Sequence, residues 1–278
     1  MMTGSSLSVT PTSATTARKV TTRGVLRSEW AKFWSLRSSW ITLSVSMVVL
    51  LVFGVIAAYM YSPDAGAGDG PMSPEGSIDA VSLALMGSGF GSLIVGSLGV
   101  LLFAGEYSTG MIRSTLAAVP TRLPVLFSKS AVVAALVLVL TTIGALVAFQ
   151  LGTVGLDGEK IALSLGDDGV LRSLLGAGVY LALVAVFGVA LGTLLRSPAG
   201  GITALVGILM ILPNLASLLP HSLAETLRPY FPSNAGEAVY SLRQSADSLS
   251  PGAGIAVFAI WVTLALAAAA IRLKRTDA

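Results

Sequence analysis

Apolar residues gather in six runs of about 20 residues, the length that carries a helix across roughly 30 Å of hydrocarbon. The runs cover approximately residues 40–61, 81–104, 130–151, 172–195, 200–219 and 252–271. A backbone amide in lipid finds no water to bond, so each run is expected to be a helix that satisfies itself. The pattern predicts an all-α, polytopic integral membrane protein with six transmembrane helices over residues 21–278. Residues 1–20, rich in Ser and Thr, have the composition of a disordered tail. The first run starts near residue 40 and is too long for the core of a cleavable leader, so it reads as an uncleaved anchor. Pro213 and Asn214 fall inside the fifth run and predict an interrupted helix.

Between the runs the pattern changes. In RGVLRSEWAKFWSLRS, residues 23–38, Val25, Leu26, Trp30, Phe33 and Trp34 share one broad helical arc, with Arg27, Glu29, Lys32 and Arg37 over the rest. Tryptophan suits the headgroup level and long cations snorkel, so a helix along the membrane surface is expected. After the second run, Ile112, Leu116 and Val119 recur at i, i+4 and i+7, and Pro120 ends the pattern. A short amphipathic helix over about 106–120 is expected, with Arg113 and Ser114 on its other face. Such a helix either lies on the membrane or inserts its apolar face into a partner's groove. Segment 220–251 carries four prolines and two helix-compatible stretches, with Asn234 and Glu237 spaced as a capping box. The Gly/Pro-rich 62–80 segment reads as turns. Asp157, Glu159, Asp167 and Asp168 match no calcium-loop spacing and read as a solvated loop.

Composition sharpens this picture. Charged residues are 11% of the 278 and hydrophobic residues 54%, too few charges to cover a soluble fold of this length. With no cysteine and one histidine, thiol chemistry and cysteine-ligated metals are excluded, and His221 beside Pro220 reads as a turn residue. The isoelectric point near 9.3 has a positional source. With the N-terminus placed in the cytoplasm, most basic residues fall on the inner side, and only Lys160, Arg172, Arg228 and Arg243 fall outside. Acids show the opposite bias, with Glu29, Glu106 and Asp277 the exceptions. Retention of Lys and Arg inside orients the spans and puts both termini in the cytoplasm. No basic stripe with interleaved aromatics remains to suggest a nucleic-acid partner.

The span centres carry no ionisable residue, which argues against a proton- or ion-driven carrier. Small residues recur at four-residue spacing instead: Gly87, Gly91 and Gly99, then Ser88, Ser92 and Gly96 in the second run, and Gly188 and Gly192 in the fourth. Such rows let helices approach closely. Lys129-Ser130 is the sole Lys-Ser/Thr pair and lacks the glycines of a phosphate-binding loop. No nucleophile–base set or paired acids mark an enzyme.

Three stretches carry a resemblance: SEWAKFWSLRSSWITL, GEYSTGMIRSTLAAVPTRLPVLFSK and YFPSNAGEAV. Their order and positions resemble the membrane subunit of ABC-2 type transporters, of the short-permease kind common in actinobacteria. The resemblance covers about residues 27–275. It implies an ABC-2 exporter-like fold in a bacterial plasma membrane and a permease that forms the substrate path. It implies coupling to a separate ABC ATPase, which binds ATP and Mg, while this chain holds no cofactor and performs no chemistry. A second permease subunit, identical or not, would complete the path. Glu106, Tyr107, Gly110, Arg113, Pro120, Arg122 and Lys129 occupy the family's coupling motif, so Ile112, Leu116 and Val119 would be the docking face. The surface helix with Arg27, Glu29, Trp30, Phe33 and Trp34 would flank the same ATPase. The alternative is an ATP-independent membrane transporter or a membrane scaffold.

Overall fold

The computed structural model describes residues 21–62, 78–215, 218, 220–244 and 248–275, and within them every regular element is helical. The expected disordered tail over 1–20 and most of the 62–80 loop lie outside the described residues. Helix α1 (Thr22–Ser35) starts at Thr21, whose Oγ1 accepts from the amide of Gly24 at 3.2 Å. The chain turns through extended backbone at Leu36 and enters α2 (Arg37–Tyr59), the first span. The second span is broken. Asp79 and Ser82 form a reciprocal capping box that opens α3 (Ala80–Ala84), and a turn separates it from α4 (Ser88–Ser108). Gly54 of α2 explains the docking of α3, because a Cβ there would overlap the backbone of Ala84.

At the end of α4 the chain reverses through Gly110, whose φ of +74° suits glycine. The short α5 (Met111–Ala118) follows, then α6 (Leu123–Gly155). Helix α6 begins seven residues earlier than the apolar run. At 33 residues it rises about 50 Å, so its first turns extend past the hydrocarbon. Helix α7 (Val170–Leu195) is the fourth span, and 83% of its most apolar window is buried.

The fifth span, Pro198–Leu215, is composite: α8 (Pro198–Val206), a π turn (Gly207–Ile211) and α9 (Leu212–Leu215). Pro213 supplies no amide, and the π turn absorbs the misfit. Asn214 Nδ2 donates to the Met210 carbonyl at 2.6 Å, a side-chain substitute within the interrupted ladder. Helices α10 (His221–Leu227) and α11 (Pro232–Tyr240) flank a 3-10 turn (Arg228–Tyr230) and precede the last span, α12 (Pro251–Arg275). The expected capping box at Asn234 is not formed. Phe231 is the cap and Pro232 takes the first helical position, which starts α11 three residues sooner.

Helix α7 is the axis of the bundle, packed on α4, α6, α8, α11 and α12. Its contact with α4 runs along glycines. A Cβ on Gly99 would strike the Ala185 carbonyl, one on Gly188 the Gly96 carbonyl, and one on Gly192 would sit 2.6 Å from the Val100 carbonyl. The small-residue rows are thus used where backbones meet. At the opposite end from α5, α11 packs Gly236 onto the ring of Tyr180, and Ser88 Oγ donates to Tyr240 Oη at 3.1 Å. Arg172 donates to the carbonyls of Val239 and Ser241, satisfying the C-terminus of α11.

Candidate functional site

Alternation of the spans brings the end of α1, the start of α2, the end of α4, α5 and the start of α6 to one end of the bundle. In α1 the expected arc splits into two stripes. Val25, Glu29 and Phe33, spaced by four, are buried against the bundle. Leu26, Trp30 and Trp34 form the neighbouring stripe and remain exposed, with the ring of Trp34 tilted against that of Trp40, centroids 4.5 Å apart. Arg27 also stays exposed. Trp30, Trp34 and Arg27 suit the surface role expected of them, whereas Glu29 and Phe33 face inward.

Glu29 is buried because it joins an ion quartet. Its Oε2 lies 2.5 Å from Lys129 Nζ and its Oε1 2.7 Å from Lys32 Nζ. Glu106 Oε1 accepts from Lys129 at 2.8 Å and from Lys32 at 3.3 Å. Lys32 reaches further to Thr115 Oγ1 at 3.3 Å. Three helices, α1, α4 and α6, thereby meet on two acids and two bases whose formal charges cancel, and Thr115 joins α5 to them. Glu29, Glu106 and Lys129 are each at most 4% exposed, where an unpaired charge would be very costly. Burial works against the Lys32 ammonium, but its hydrogen bonds and the charges of Glu29 and Glu106 prevail and hold it above its ordinary value of 10.5.

Helix α5 is fixed by the same neighbourhood. Ile112 and Leu116 are buried in the main core, and Val119 packs with Val25 and Val125. This corrects the expectation that these three form a docking face: the apolar side is spent on the chain itself. Arg113, Ser114 and Ala117 are exposed on the other side. Helix α5 is also shorter than the 106–120 expected, because Glu106 and Tyr107 belong to the last turn of α4.

Two arginines bind further span ends. Arg122, at φ 57°, precedes α6 and donates from Nη1 to the Leu273 carbonyl of α12 at 3.1 Å. Arg196, in the left-handed region at φ 55°, ends α7 and sits 4.9 Å over the ring of Tyr107. Non-glycine residues hold such dihedrals when surrounding contacts fix them. The residues expected to form a coupling motif gather at one end but divide their work. Glu106 and Lys129 bind charge, Tyr107 and Arg122 tie span ends, Gly110 turns the chain, and Arg113 faces out.

A cavity of about 340 Å³ adjoins the quartet between α1, α2, α4 and α6. Glu29, Lys32, Glu106 and Lys129 line one side, and Phe33, Leu98, Leu102, Val132 and Val133 supply apolar walls. Oε2 of Glu106 has no hydrogen-bond partner among the described residues. The quartet was not read from the sequence as a site. A signal existed: two of the three acids on the basic side, Glu29 and Glu106, are its members, and Glu29 sits between Val25 and Phe33 on one face.

No known family model matches the chain, and no curated protein matches it. The fold itself defines a class. Six helices are long and apolar enough to cross a membrane, and the chain is a multi-pass membrane protein.

Proposed function

We propose that the chain is the permease subunit of an ATP-driven exporter of the ABC-2 type, embedded in a bacterial plasma membrane with both termini inside. ATP hydrolysis then belongs to a separate ATPase subunit, and a second permease subunit completes the substrate path. The reading is supported first by the way α5 is held. A short helix outside the spans is tied by Thr115 to Lys32 of α1 and packed against α4, with Ile112 and Leu116 buried in the core and Arg113 and Ser114 facing away. A push on its outer face would reach α1 and the spans α4 and α6 through the ion quartet and packed side chains rather than through a loose loop. Spans α2, α8–α9 and α12 keep broad outward faces, with 28%, 17% and 22% of their apolar windows buried, and one of these faces would meet the second subunit.

Gentle extraction of the tagged chain, with cross-linking in the presence of trapped ATP, tests the reading. Copurification of a P-loop ATPase near one-to-one, cross-linked through a residue placed at Ser114, is the expected outcome. Absence of any ATPase under those conditions would remove the proposal and leave an ATP-independent transporter or scaffold.

A further inference from the structure

Withdrawal of Glu29 into the quartet leaves the outside of α1 with one sign of charge. Arg23, Arg27, Trp30 and Trp34 follow one another at i, i+4, i+7 and i+11, so they share a single stripe along the helix. All four are exposed, the tryptophans at 43% and 52%, while Val25, Glu29 and Phe33 are turned into the bundle. Lys32, the other base of α1, is held by Glu29 and Glu106. Among the described residues this end of the bundle also exposes Arg37, Arg113, Arg272 and Lys274, and it exposes no acid, because Glu29 and Glu106 are buried. A surface of one sign collects counter-ions of the other.

The tryptophans set the depth of the stripe. The ring of Trp34 lies against that of Trp40, which belongs to the first turn of the first span, and Trp30 follows with its centroid 6.1 Å from that of Trp34. Beyond Trp40, Ile41, Val45 and Val48 continue the exposed apolar surface down α2. The indoles therefore join the arginines to the level where the span enters hydrocarbon, which is the level tryptophan prefers. An acidic protein would meet the arginines alone, whereas an anionic bilayer surface meets the whole stripe. We propose that Arg23, Arg27, Trp30 and Trp34 form a binding site for anionic phospholipid headgroups. The guanidiniums pair with the phosphates, for which their forked donors are suited, and the indoles lie just beneath. The site requires only that the chain spans a membrane and holds whether or not an ATPase partner exists.

Quenching of tryptophan emission by brominated lipid tests it in the full chain. Trp261→Phe removes the one tryptophan outside this region and leaves Trp30, Trp34 and Trp40 as reporters. Phosphatidylcholine nanodiscs carry a fixed minor share of lipid brominated near the headgroup, either phosphatidylglycerol or phosphatidylcholine. The anionic quencher is expected to show at least about fivefold higher relative affinity, the contribution of one cation at an anionic surface. High salt should bring the ratio toward one. Arg23→Gln with Arg27→Gln should do the same while leaving melting unchanged, since both residues are exposed. Arg272→Gln with Lys274→Gln removes equal charge from the same end but off the stripe, and should keep most of the preference. A ratio near one in the parent overturns the proposal and leaves the stripe to an acidic protein surface. Full preference in the Arg23, Arg27 variant, or equal losses in the two double variants, overturns it as well. The parent ratio and its salt dependence need no charge variant, so poor folding of the stripe variant leaves the test intact.

Discussion

The ammonium of Lys129, near the start of the third span, lies 2.5 Å from the carboxylate of Glu29, on a helix that precedes the first. One hundred residues separate them in the chain. Replacing Lys129 with Met leaves Glu29 and Glu106 facing each other with Lys32 alone between them. That single change is expected to destabilise the protein by about 3–5 kcal/mol, the usual consequence of stripping one partner from a buried pair. The double variant Glu106→Gln, Lys129→Met leaves Glu29 paired with Lys32, removes the uncompensated charge and should recover part of the loss. Melting temperatures in detergent check the order of the two; a double variant less stable than the single one contradicts it.

Raising the pH gives a second check on the same site. A lysine held above its ordinary value contributes stability that is complete below about 10.5 and vanishes as pH climbs through the raised folded value. Tryptophan emission from Trp30 and Trp34, which ride on α1, should therefore stay constant from pH 8 to pH 10 and change only above that. In Lys32→Met the alkaline transition should lose the part that Lys32 contributes. An identical alkaline curve in both proteins would exclude Lys32 as its source.

The two faces of α5 should separate stability from coupling. Ile112→Asp places a charge among buried apolar neighbours and should loosen α5, costing about 3 kcal/mol or more. Arg113→Glu changes an exposed residue and should leave melting within about 0.5 kcal/mol of the parent. If the coupling proposal holds, Arg113→Glu nevertheless lowers ATPase stimulation in the reconstituted complex. Full stimulation by Arg113→Glu and by Ser114→Asp would detach the outer face from that role.

The glycine contact between α4 and α7 predicts a sharp asymmetry. Gly188→Val puts side-chain atoms where the Gly96 carbonyl lies, and should cost at least about 2–3 kcal/mol or prevent folding. Gly105→Ala, with open space around its Cβ position, should be neutral or stabilise by up to about 1 kcal/mol. Both are measured by unfolding of the purified protein in mild detergent.

Orientation is directly measurable because the chain has no cysteine of its own. Single cysteines at Ser114 and Ala162, both exposed and on connections at opposite ends of α6, should label from opposite sides of intact cells. The proposed topology expects Ala162→Cys to react with an impermeant maleimide and Ser114→Cys to be protected. The reverse pattern turns the protein over.

The spans were legible because a membrane segment must be apolar along its whole length, and that leaves a local signature. All six runs became helices, and the glycine rows at Gly96, Gly99, Gly188 and Gly192 became close contacts. Helix ends were less legible. Pro232 and the reversal at Gly110 reset two of them by three and five residues, through cap chemistry that weak periodicity does not reveal. The ion quartet was hardest to see. Its members are distributed over residues 29–129, and each alone resembles a surface charge beside a membrane. Only their convergence, together with the inward turn of Val25 and Phe33, distinguishes a buried tie from a solvated face. The apolar stripe of α5 was read correctly as a stripe, but periodicity does not say which neighbour covers it.

The quartet also bears on how the chain is made. Glu29 and Glu106 leave the ribosome before Lys129, so through the synthesis of two spans the acids have only Lys32 to answer them. The first helix cannot settle into its final seat until residue 129 has been translated and α6 has entered the bilayer. Until then α1 is free to ride on the headgroups by its tryptophans, a waiting position from which the arrival of one lysine draws it in.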